Sequence, residues 1–422
     1  MKRIERARKV RGRLMPPPDK SLSHRALIFS AVAEEASNVE NLLDSGDTRS
    51  TYRILEKLGV KFEGNFGRMR ILPPRRFEEP FEVLDCGNSG TTARLMTGLL
   101  SSLPGFYVLS GDASLSRRPM KRVVEPLRKM GAVIMGRNKG DNLPLAIYGS
   151  SLHGCVHELG VASAQVKSAL LLAGLRAEGT TVVIEPRKSR DHTERLLSMM
   201  GARINVDGLK VEVKPSSLKG LNFRVPGDFS SAAFFIALGV LHPDAELTVE
   251  DVNLNPTRTG FLSILEDMGA DVSVEVMETE PEPVGRITVR TSSLNGTVVS
   301  GDIVVSAIDE LPLVALLGTF AHGETVVMDA QELRRKESDR IKAVVNNLRA
   351  LGVKIEEFPD GFSVVGPQEI EGGNVDSHGD HRIAMMFAIA GLLSKNGVVI
   401  ENPDCVYISF PQFFDMLEKV VS

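Results

Sequence analysis

The sequence contains no tryptophan, only four tyrosines and only three cysteines in 422 residues. Cys86, Cys155 and Cys405 are far apart and form no CxxC motif, which argues against a disulfide framework or a cysteine-rich zinc site. The basic N-terminus lacks the apolar stretch of a secretory signal. The longest apolar stretches, such as 231–241, are too short to span a bilayer. We therefore expect a cytoplasmic protein without a membrane partner.

The sequence also lacks an excess of positive charge. Its 50 lysine and arginine residues are outnumbered by 54 acidic residues, and the formal net charge is -4. Nucleic-acid-binding proteins usually neutralise phosphates with an excess of cations, so we expect no nucleic-acid partner. No P-loop, GxGxxG, HExxH or GxSxG motif occurs. We therefore expect no cofactor, no metal ion and no covalent nucleophile.

The sequence does contain an internal repeat. A leucine-rich segment that ends in glycine recurs at steps of about 70 residues, and a truncated sixth copy, FFDMLEKVVS, ends the chain. Glycine adopts the left-handed conformation that terminates a helix. The terminating glycines are Gly59, Gly131, Gly201, Gly269 and Gly352.

Six apolar segments alternate with these leucine-rich segments, and each is followed by a strand-like run such as GTTVVI or GETVVM. The pattern predicts a unit of helix, strand, helix and two further strands. Six such units indicate an α/β protein, divided naturally into two groups of three. Because the first helix of each unit is apolar nearly all round, we expect it to be buried.

The apolar helices begin with polar residues. Serine, aspartate and asparagine there are ordinary capping residues, but cations are unfavourable near the positive end of a helix dipole. Helix N-termini bind anions, so cations gathered there predict a strongly anionic ligand. The cations in question are Lys20, Arg25, Arg94, Arg117, Arg118, Lys167, Arg190, Arg335, Lys336, Arg340 and Arg382.

Acidic residues accompany these cations. Asp309 and Glu310 open one apolar helix, and Glu337 lies in RRKESDR, where the spacing places Lys336 and Arg340 on one helix face. A carboxylate among cations stays ionised and can accept a proton that a substrate brings to it. The sequence therefore predicts an acid–base group within an anion-binding site.

These motifs together resemble those of the 5-enolpyruvylshikimate-3-phosphate synthase family. The resemblance extends over the whole chain, and the motifs occur in the family's order. They are DKSLSHRAL (19–27), NSGTTAR (88–94), SRRPM (116–120), SAQVKSA (163–169), SRDHTE (189–194), IDELP (308–312), RRKESDR (334–340) and GDHRIAM (379–385).

The resemblance implies an α/β fold of two domains, an inside-out barrel with three repeats in each domain and with helix N-termini that face the interdomain cleft. The family's chain crosses twice between its domains. We therefore expect one domain to hold residues 1–18 and 229–422, and the other to hold 19–228.

The resemblance also implies an activity: transfer of the enolpyruvyl (carboxyvinyl) group of phosphoenolpyruvate to the 5-hydroxyl of shikimate 3-phosphate, with release of phosphate. This reaction belongs to the shikimate pathway to chorismate and aromatic amino acids, and the herbicide glyphosate would compete beside Gly90. We expect these two small molecules as substrates, no cofactor, and a monomer.

The resemblance assigns roles to single residues. The implied catalytic residues are Asp309, Glu337 and Lys20. The implied ligands of shikimate 3-phosphate are Lys20, Ser21, Arg25, Ser163, Ala164, Gln165, Arg190, Asp309 and Lys336. The implied ligands of phosphoenolpyruvate are Lys20, Asn88, Gly90, Arg118, Gln165, Arg340, His381 and Arg382.

The chain departs from some family members at three positions. Ile408 stands where they have a lysine, Glu332 where they have an asparagine, and Ala164 where they have a second serine. The chain resembles the bacterial subgroup in which Lys167 and Arg190 contribute more.

Two alternatives remain. The sister enzyme that transfers enolpyruvyl to UDP-N-acetylglucosamine has Lys-Asn at the first motif and usually a cysteine in the mobile loop. Here the first motif is Lys20-Ser21 and the loop 111–120 has no cysteine. A six-repeat DNA clamp would carry its cations along helix sides and needs no acids among them.

Overall fold

The computed structural model describes residues 1–422 and consists of two compact units. Unit 1 comprises Met1–Pro17 and Pro226–Ser422, and unit 2 comprises Pro18–Val225. The chain therefore passes between the units at 17/18 and at 225/226, where the sequence analysis expected 18/19 and 228/229. That the units are separate domains remains our proposal.

Unit 2 follows the expected order of helix, strand, helix and two strands. Two strands of unit 1 precede it, β1 (Lys2–Ile4) and β2 (Val10–Leu14). The first repeat comprises α1 (Lys20–Ala31), β3 (Ser37–Glu40), α2 (Gly46–Lys57), β4 (Lys61–Asn65) and β5 (Arg68–Leu72). The second comprises β6 (Leu84–Asp85), α3 (Gly90–Ser101), β7 (Gly105–Ser110), α4 (Lys121–Lys129), β8 (Val133–Gly136), a tight turn labelled α5 (Arg137–Gly140) in which Asn138 and Lys139 have left-handed dihedral angles, and β9 (Asn142–Gly149). The third comprises β10 (Val156–Glu158), α6 (Ala164–Gly174), β11 (Thr181–Ile184), α7 (His192–Met199), β12 (Ile204–Asp207) and β13 (Lys210–Val213).

Unit 1 repeats the same order after β14 (Asn222–Arg224), the last strand of unit 2. The fourth repeat comprises α8 (Phe229–Leu241), β15 (Ala245–Asn253), α9 (Gly260–Asp267), β16 (Val272–Glu278) and β17 (Val284–Arg290). The fifth comprises β18 (Val298–Val299), α10 (Asp302–Ser306), α11 (Leu311–Phe320), β19 (Gly323–Val327), α12 (Arg340–Ala350), β20 (Ile355–Phe358) and β21 (Gly361–Gly366). The sixth comprises β22 (Gly373–Asp376), α13 (His381–Leu393), β23 (Val398–Glu401) and α14 (Phe413–Val420). The predicted α/β class and its six repeats are confirmed.

Each repeat contributes one sheet. The four-stranded sheets have the orders β14-β3-β5-β4, β6-β7-β9-β8, β10-β11-β13-β12, β2-β15-β17-β16 and β18-β19-β21-β20. The sixth repeat ends before its last two strands, and the N-terminal β1 pairs antiparallel with β23 in the sheet β1-β23-β22. In the second, third, fifth and sixth repeats, the strand before the apolar helix pairs in parallel with the strand after it.

The first and fourth repeats exchange these preceding strands. β2 precedes α1 but pairs in parallel with β15, which follows α8. β14 precedes α8 but pairs in parallel with β3, which follows α1. Each unit is therefore completed by a strand from the far side of a crossing, which explains why residues 1–17 belong to unit 1 although unit 2 follows them directly.

Helix ends follow the sequence signals. The apolar helices α1, α3, α6, α8, α11 and α13 are buried along nearly their whole length, as predicted. The five repeat glycines end the second helices with φ between 79° and 100°, as a left-handed cap requires. None of the helices combines the length and apolar character needed to cross a membrane. Five of these six buried helices, all except α8, have predicted site residues in or just before their first turns, and the other predicted site residues lie at the starts of α4, α7 and α12.

Candidate active site

The start of α1 joins a cation to an acid. Asp19 caps the helix by accepting a hydrogen bond from the Leu22 amide at 2.8 Å. Lys20 is the first helical residue, and its Nζ donates to Asp47 Oδ2 at 3.1 Å. Asp47 lies in the first turn of α2, where an acid is ordinary, so nothing in the sequence signals this pairing.

Arg25 connects three helices beneath their first turns. Its side chain is buried, with 2% exposed. Nε donates to Thr193 Oγ1 of α7 at 2.8 Å, and Nη2 donates to Ser168 Oγ of α6 at 2.7 Å. Nη1 donates to the carbonyl of Ser21 at 2.9 Å. The Ser21 carbonyl therefore joins the two predicted ligands Ser21 and Arg25, and two hydroxyl groups from α6 and α7 hold the rest of the Arg25 guanidinium.

The start of α3 gathers four predicted phosphoenolpyruvate ligands. Asn88 Oδ1 accepts from Arg118 Nη2 at 2.8 Å. A methyl group on Gly90 would lie 2.7 Å from Arg94 Nη1 and 3.3 Å from Arg118 Nη1, so both guanidinium groups lie beside this glycine. Arg94 Nη1 donates to Gln165 Oε1 at 2.7 Å. Arg94 therefore joins Gln165 of α6 to the cluster.

Gly90 is not a turn glycine. It is the buried first residue of α3, and its φ lies outside the left-handed region. Any L-residue could adopt this backbone, so the dihedral angles do not explain why glycine stands there. The space beside the two guanidinium groups explains it instead.

The start of α6 and the segment before α7 carry the remaining predicted ligands of unit 2. Ser163 caps α6 by accepting from the Val166 amide at 3.4 Å, and Ala164 is the first helical residue. Arg190 lies two residues before α7 and is half-buried. Lys167 is 1% exposed and its ammonium lies between two buried glutamates. The ammonium of Lys167 is therefore held by carboxylates below the surface of this helix start, and its expected contribution to binding stays a prediction.

In unit 1, Asp309 lies among three cations at the start of α11. Its Oδ1 is 3.2 Å from Arg340 Nη1 and 3.5 Å from Lys336 Nζ. Its Oδ2 is 3.7 Å from Arg382 Nη2. Three neighbouring cations favour the charged form of the carboxylate. The side chain keeps 11% of its surface exposed, so a substrate hydroxyl can still reach it.

Arg340 is buried among acidic residues. Its Nη2 donates to Glu337 Oε2 at 2.7 Å, and its Nε donates to Asp380 Oδ2 at 2.8 Å. Burial alone would lower the pKa of Arg340, but Asp380, Glu337 and Asp309 raise it above its usual value. Burial alone would likewise raise the pKa of Asp380, but Arg340 lowers it. Arg340 and Asp380 are therefore a charged pair that fixes Glu337 and Asp309.

The RRKESDR motif does not form the predicted helix face. Asp339 caps α12 by accepting from the Lys342 amide at 3.1 Å, so the helix begins only at Arg340. Lys336 precedes the helix and follows a short 3₁₀ segment, Gln331–Arg335. Asp309 from another helix start bridges Lys336 and Arg340, and this non-local contact replaces the expected i,i+4 relation.

The first turn of α13 supplies His381 and Arg382. Asp380 caps this helix by accepting from the Arg382 amide at 2.9 Å. Arg382 Nη1 donates to the carbonyl of Asp309 at 3.4 Å. His381 is buried, with only 3% of its surface exposed. The structure thus brings together Asp309, Lys336, Glu337, Arg340 and Arg382, all of which the sequence analysis had singled out.

Four further residues belong to these clusters: Asp47 and Asp380 were missed by the sequence-based prediction, whereas Arg94 and Glu310 were noted at helix starts but given no role of their own. Arg94, Asp47, Asp380 and Glu310 all contact predicted site residues. Arg94 and Asp380 lie inside motifs already recognised, so their motifs were a signal. Glu310 is fully buried; burial raises its pKa, although Arg258 and Arg382 oppose that shift. Burial could not be deduced from its place at a polar helix start.

The fold places the chain in a class of two-unit α/β proteins for which solved structures exist. An EPSP synthase from Acinetobacter baumannii aligns with a TM-score of 0.88 and 39% identity, covering 99% of this chain and 98% of that chain. The enolpyruvyl transferase NikO from Streptomyces tendae aligns with a TM-score of 0.78 over 99% of this chain and 96% of that one. Its 17% identity establishes likeness of fold alone.

The family follows from the sequence comparison. Residues 4–417 match the model of the family described as EPSP synthase (3-phosphoshikimate 1-carboxyvinyltransferase). A 3-phosphoshikimate 1-carboxyvinyltransferase of Thermotoga neapolitana is 57% identical over 416 residues, 98% of each chain. One of Persephonella marina is 49% identical over 429 residues, 100% of this chain and 99% of the relative. The chain belongs to the EPSP synthase family.

Proposed function

We infer that the chain transfers the carboxyvinyl group of phosphoenolpyruvate to the 5-hydroxyl of shikimate 3-phosphate and releases phosphate. The observation that carries this inference is the Asp309 carboxylate, held 3.2–3.7 Å from three cations. An acid poised among cations suits a reaction that removes a proton from a hydroxyl while two anions are bound. Family membership supports this function over a sister enzyme or a DNA clamp.

The proposed reaction is an addition followed by an elimination. Asp309 accepts the proton of the 5-hydroxyl as its oxygen attacks C2 of phosphoenolpyruvate, and the methylene carbon gains a proton to give a tetrahedral intermediate. The intermediate then loses a proton from that methyl carbon, and phosphate leaves. Glu337 and Lys20 handle the carbon proton and the departing phosphate. Glu337 suits this task because Arg340 holds it by a 2.7 Å hydrogen bond while 19% of its side chain stays exposed.

We propose that each unit supplies ligands to both substrates. The proposed ligands of shikimate 3-phosphate are Lys20, Ser21, Arg25, Ser163, Ala164, Gln165 and Arg190 of unit 2, with Asp309 and Lys336 of unit 1. The proposed ligands of phosphoenolpyruvate are Lys20, Asn88, Gly90, Arg118 and Gln165 of unit 2, with Arg340, His381 and Arg382 of unit 1. Helix first turns and charge-assisted hydrogen bonds favour anionic groups in such positions.

The test is phosphate release from phosphoenolpyruvate with one acceptor at a time. Release that requires shikimate 3-phosphate supports the proposed function. Release with UDP-N-acetylglucosamine instead would assign the chain to the sister reaction. No release with either acceptor, together with retention on DNA-cellulose at low salt, would favour a nucleic-acid clamp.

We further propose that the chain works as a monomer in the cytoplasm. The three cysteines are free, and burial raises the pKa of Cys86 and Cys405, which keeps both thiols protonated and suits a reducing compartment. Light scattering at catalytic concentrations should give a mass near the 45.9 kDa of one chain. A larger mass that persists on dilution would contradict the monomer.

A further inference from the structure

Beneath the helix starts of unit 2 lies a buried ionic cluster that the proposed mechanism does not use. Lys167 Nζ lies 2.7 Å from Glu185 Oε2 and 2.6 Å from Glu194 Oε1. Lys167 is in the first turn of α6, Glu185 directly follows β11, and Glu194 is in the first turn of α7. All three side chains are at most 6% exposed. We call these residues the Lys167 cluster.

The Lys167 cluster is a costly way to hold a fold together. Removing charges from water is expensive, and well-packed apolar residues of similar volume often stabilise as much or more. Burial alone would lower the pKa of Lys167, but Glu194 and Glu185 raise it. Burial raises the pKa of Glu194, and its Oε2 is buried and accepts no hydrogen bond. A gain in stability therefore does not explain the Lys167 cluster. A role in holding neighbouring residues in place explains it better.

The Lys167 cluster forms hydrogen bonds with Ser189, in the segment between β11 and α7. The Ser189 hydroxyl donates to Glu185 Oε1, and the Ser189 carbonyl accepts from Lys167 Nζ at 3.5 Å. Ser189 is itself buried, whereas the following residue, Arg190, is half-buried. Both the side chain and the backbone of Ser189 are thus fixed immediately before a proposed substrate ligand.

The same helix turns connect the cluster to other proposed ligands. Lys167 lies two residues after Gln165 on α6, and the adjacent Ser168 accepts the 2.7 Å hydrogen bond from Arg25. Glu194 follows Thr193, which accepts from Arg25 at 2.8 Å. A shift of α6 against α7 would therefore move Arg25 and Arg190 together.

We propose that Lys167, Glu185 and Glu194 are positioning residues that hold the Ser189–Arg190 backbone against the start of α6, so that Arg190 is preset for the phosphate of shikimate 3-phosphate. The proposal deepens the proposed function and rests on it. The cluster contacts no substrate, and its effect passes through Arg190. Preorganised ligands bind more tightly because less ordering remains to be done on binding.

The decisive variant is Glu185→Gln, which keeps the shape and the acceptor for Ser189 but removes the charge that holds Lys167. We expect the KM for shikimate 3-phosphate to rise about tenfold, the loss expected when a charge-assisted hydrogen bond is weakened. The KM for phosphoenolpyruvate and kcat should change less than about threefold. The matched control is Glu212→Gln, which removes the partly exposed Lys210–Glu212 pair on β13, a strand paired with β11, and should change none of the three constants.

A double-mutant cycle with Arg190→Ala tests the route of the effect. If the Lys167 cluster acts through Arg190, Glu185→Gln should raise the KM for shikimate 3-phosphate little further once Arg190 is absent, and the two effects should not add. Full additivity would overturn the proposal. Equal increases in both KM values would also overturn it, because they would indicate general disruption of unit 2.

Hydrogen exchange separates this proposal from the proposed function. In Glu185→Gln the amides of residues 187–191 should exchange faster than in the wild type, with or without substrate. If the wild type is inactive towards shikimate 3-phosphate but the variant exchanges faster, the proposed function is rejected. The conclusion that the Lys167 cluster fixes Ser189 would still stand. Unchanged exchange and an unchanged KM would reject the positioning role itself.

Discussion

The two units use one repeat in different ways at their helix starts. In unit 2, the described contacts of Arg25, Arg94 and Arg118 are with hydroxyl, carbonyl and amide oxygens, although Lys20 there donates to the Asp47 carboxylate. In unit 1, Arg340 donates to the carboxylates of Asp309, Glu337 and Asp380. Both kinds of acceptor orient a guanidinium, and carboxylates also offset its charge.

The difference suggests a division of labour. In unit 2, Glu185 and Glu194 are buried, and the ammonium of Lys167 lies 2.6–2.7 Å from both of them. Unit 1 brings Asp309 and Glu337 to positions that stay partly exposed. We therefore expect changes in unit 1 acids to affect chemistry most, and changes in unit 2 cations to affect substrate affinity most.

The largest expected effect is that of Asp309→Ala. A positioned general base contributes about 10²–10⁴-fold to rate, so kcat should fall by about that factor. Affinity for shikimate 3-phosphate should fall little, because the variant removes an acid and no cation. Stopped assays of phosphate release give kcat, and calorimetry gives the affinity.

A suitable control for Asp309→Ala is Asp415→Ala, at an exposed position on α14 of the same unit. It should leave both quantities unchanged. Near-normal turnover of Asp309→Ala would remove Asp309 from the mechanism and, with it, the proposed chemical role of unit 1.

The converse change is Arg25→Ala in unit 2. Its guanidinium makes three hydrogen bonds beneath the proposed substrate site. A hydrogen bond to a charged group contributes about 1.5–3 kcal/mol, so affinity for shikimate 3-phosphate should fall about ten- to hundredfold. We expect the main loss in affinity rather than in kcat at saturating substrate.

Arg53→Ala, at an exposed position on α2, controls for loss of positive charge from unit 2. A melting curve of Arg25→Ala controls for loss of the contacts between α1, α6 and α7. An unchanged calorimetric affinity in a folded Arg25→Ala variant would contradict the role assigned to unit 2.

The order of elements was predictable because local signals specify it. Each of the five repeat glycines has the positive φ that a helix end requires, and segments that are apolar nearly all round marked the buried helices. The exchange of β2 and β14 between repeats was not predictable, because these parallel pairings join residues more than 180 positions apart, such as Val10 with Ala245 and Asn38 with Asn222. The same holds for the site: motifs revealed Asp309 and Arg340, but only the fold brings Asp47 to Lys20 or Glu194 to Lys167.

A smaller, more selective effect is expected for Gly90→Ala. The added methyl would lie 2.7 Å from Arg94 Nη1, so Arg94 must shift, and with it the hydrogen bond to Gln165. Glyphosate needs slightly more room than phosphoenolpyruvate at this position, as the family resemblance implies. The inhibition constant of glyphosate should therefore rise more than the KM for phosphoenolpyruvate.

Melting temperature separates this explanation from a purely structural one for Gly90. The residue is helical and needs no special dihedral angles, so alanine should preserve or slightly raise helix stability. A lowered melting temperature with an unchanged ratio of the two constants would show that Gly90 serves packing only.

The smallest expected effect concerns the acids that unit 2 keeps buried. Burial raises the pKa of Glu194 above its ordinary value of 4.5, despite the attraction of Lys167. A carboxyl group whose pKa is raised in the folded state binds its proton more tightly there than in the unfolded chain. Its ionisation therefore costs stability as pH rises from about 4.5 through the folded pKa. The Glu194→Gln variant cannot ionise at this position, so its melting temperature should rise relative to that of the wild type as the pH is raised from about 4.5 through the folded pKa of Glu194.

The control for Glu194→Gln is Glu212→Gln, because Glu212 is a partly exposed carboxylate of the same unit. Lys210 lowers the pKa of Glu212, so the ionised group contributes stability above pH 4.5 that is lost as pH falls through the folded pKa. The melting temperature of the Glu212→Gln variant should therefore fall slightly relative to that of the wild type as pH rises. This change is opposite in sign to the one expected for Glu194→Gln. Differential scanning calorimetry at several pH values would measure both differences.

Parallel curves of melting temperature against pH for the Glu194→Gln variant and the wild type would mean that Glu194 does not ionise against burial. The Lys167 cluster would then bear no electrostatic cost, and the argument that it exists for geometry would lose its main support.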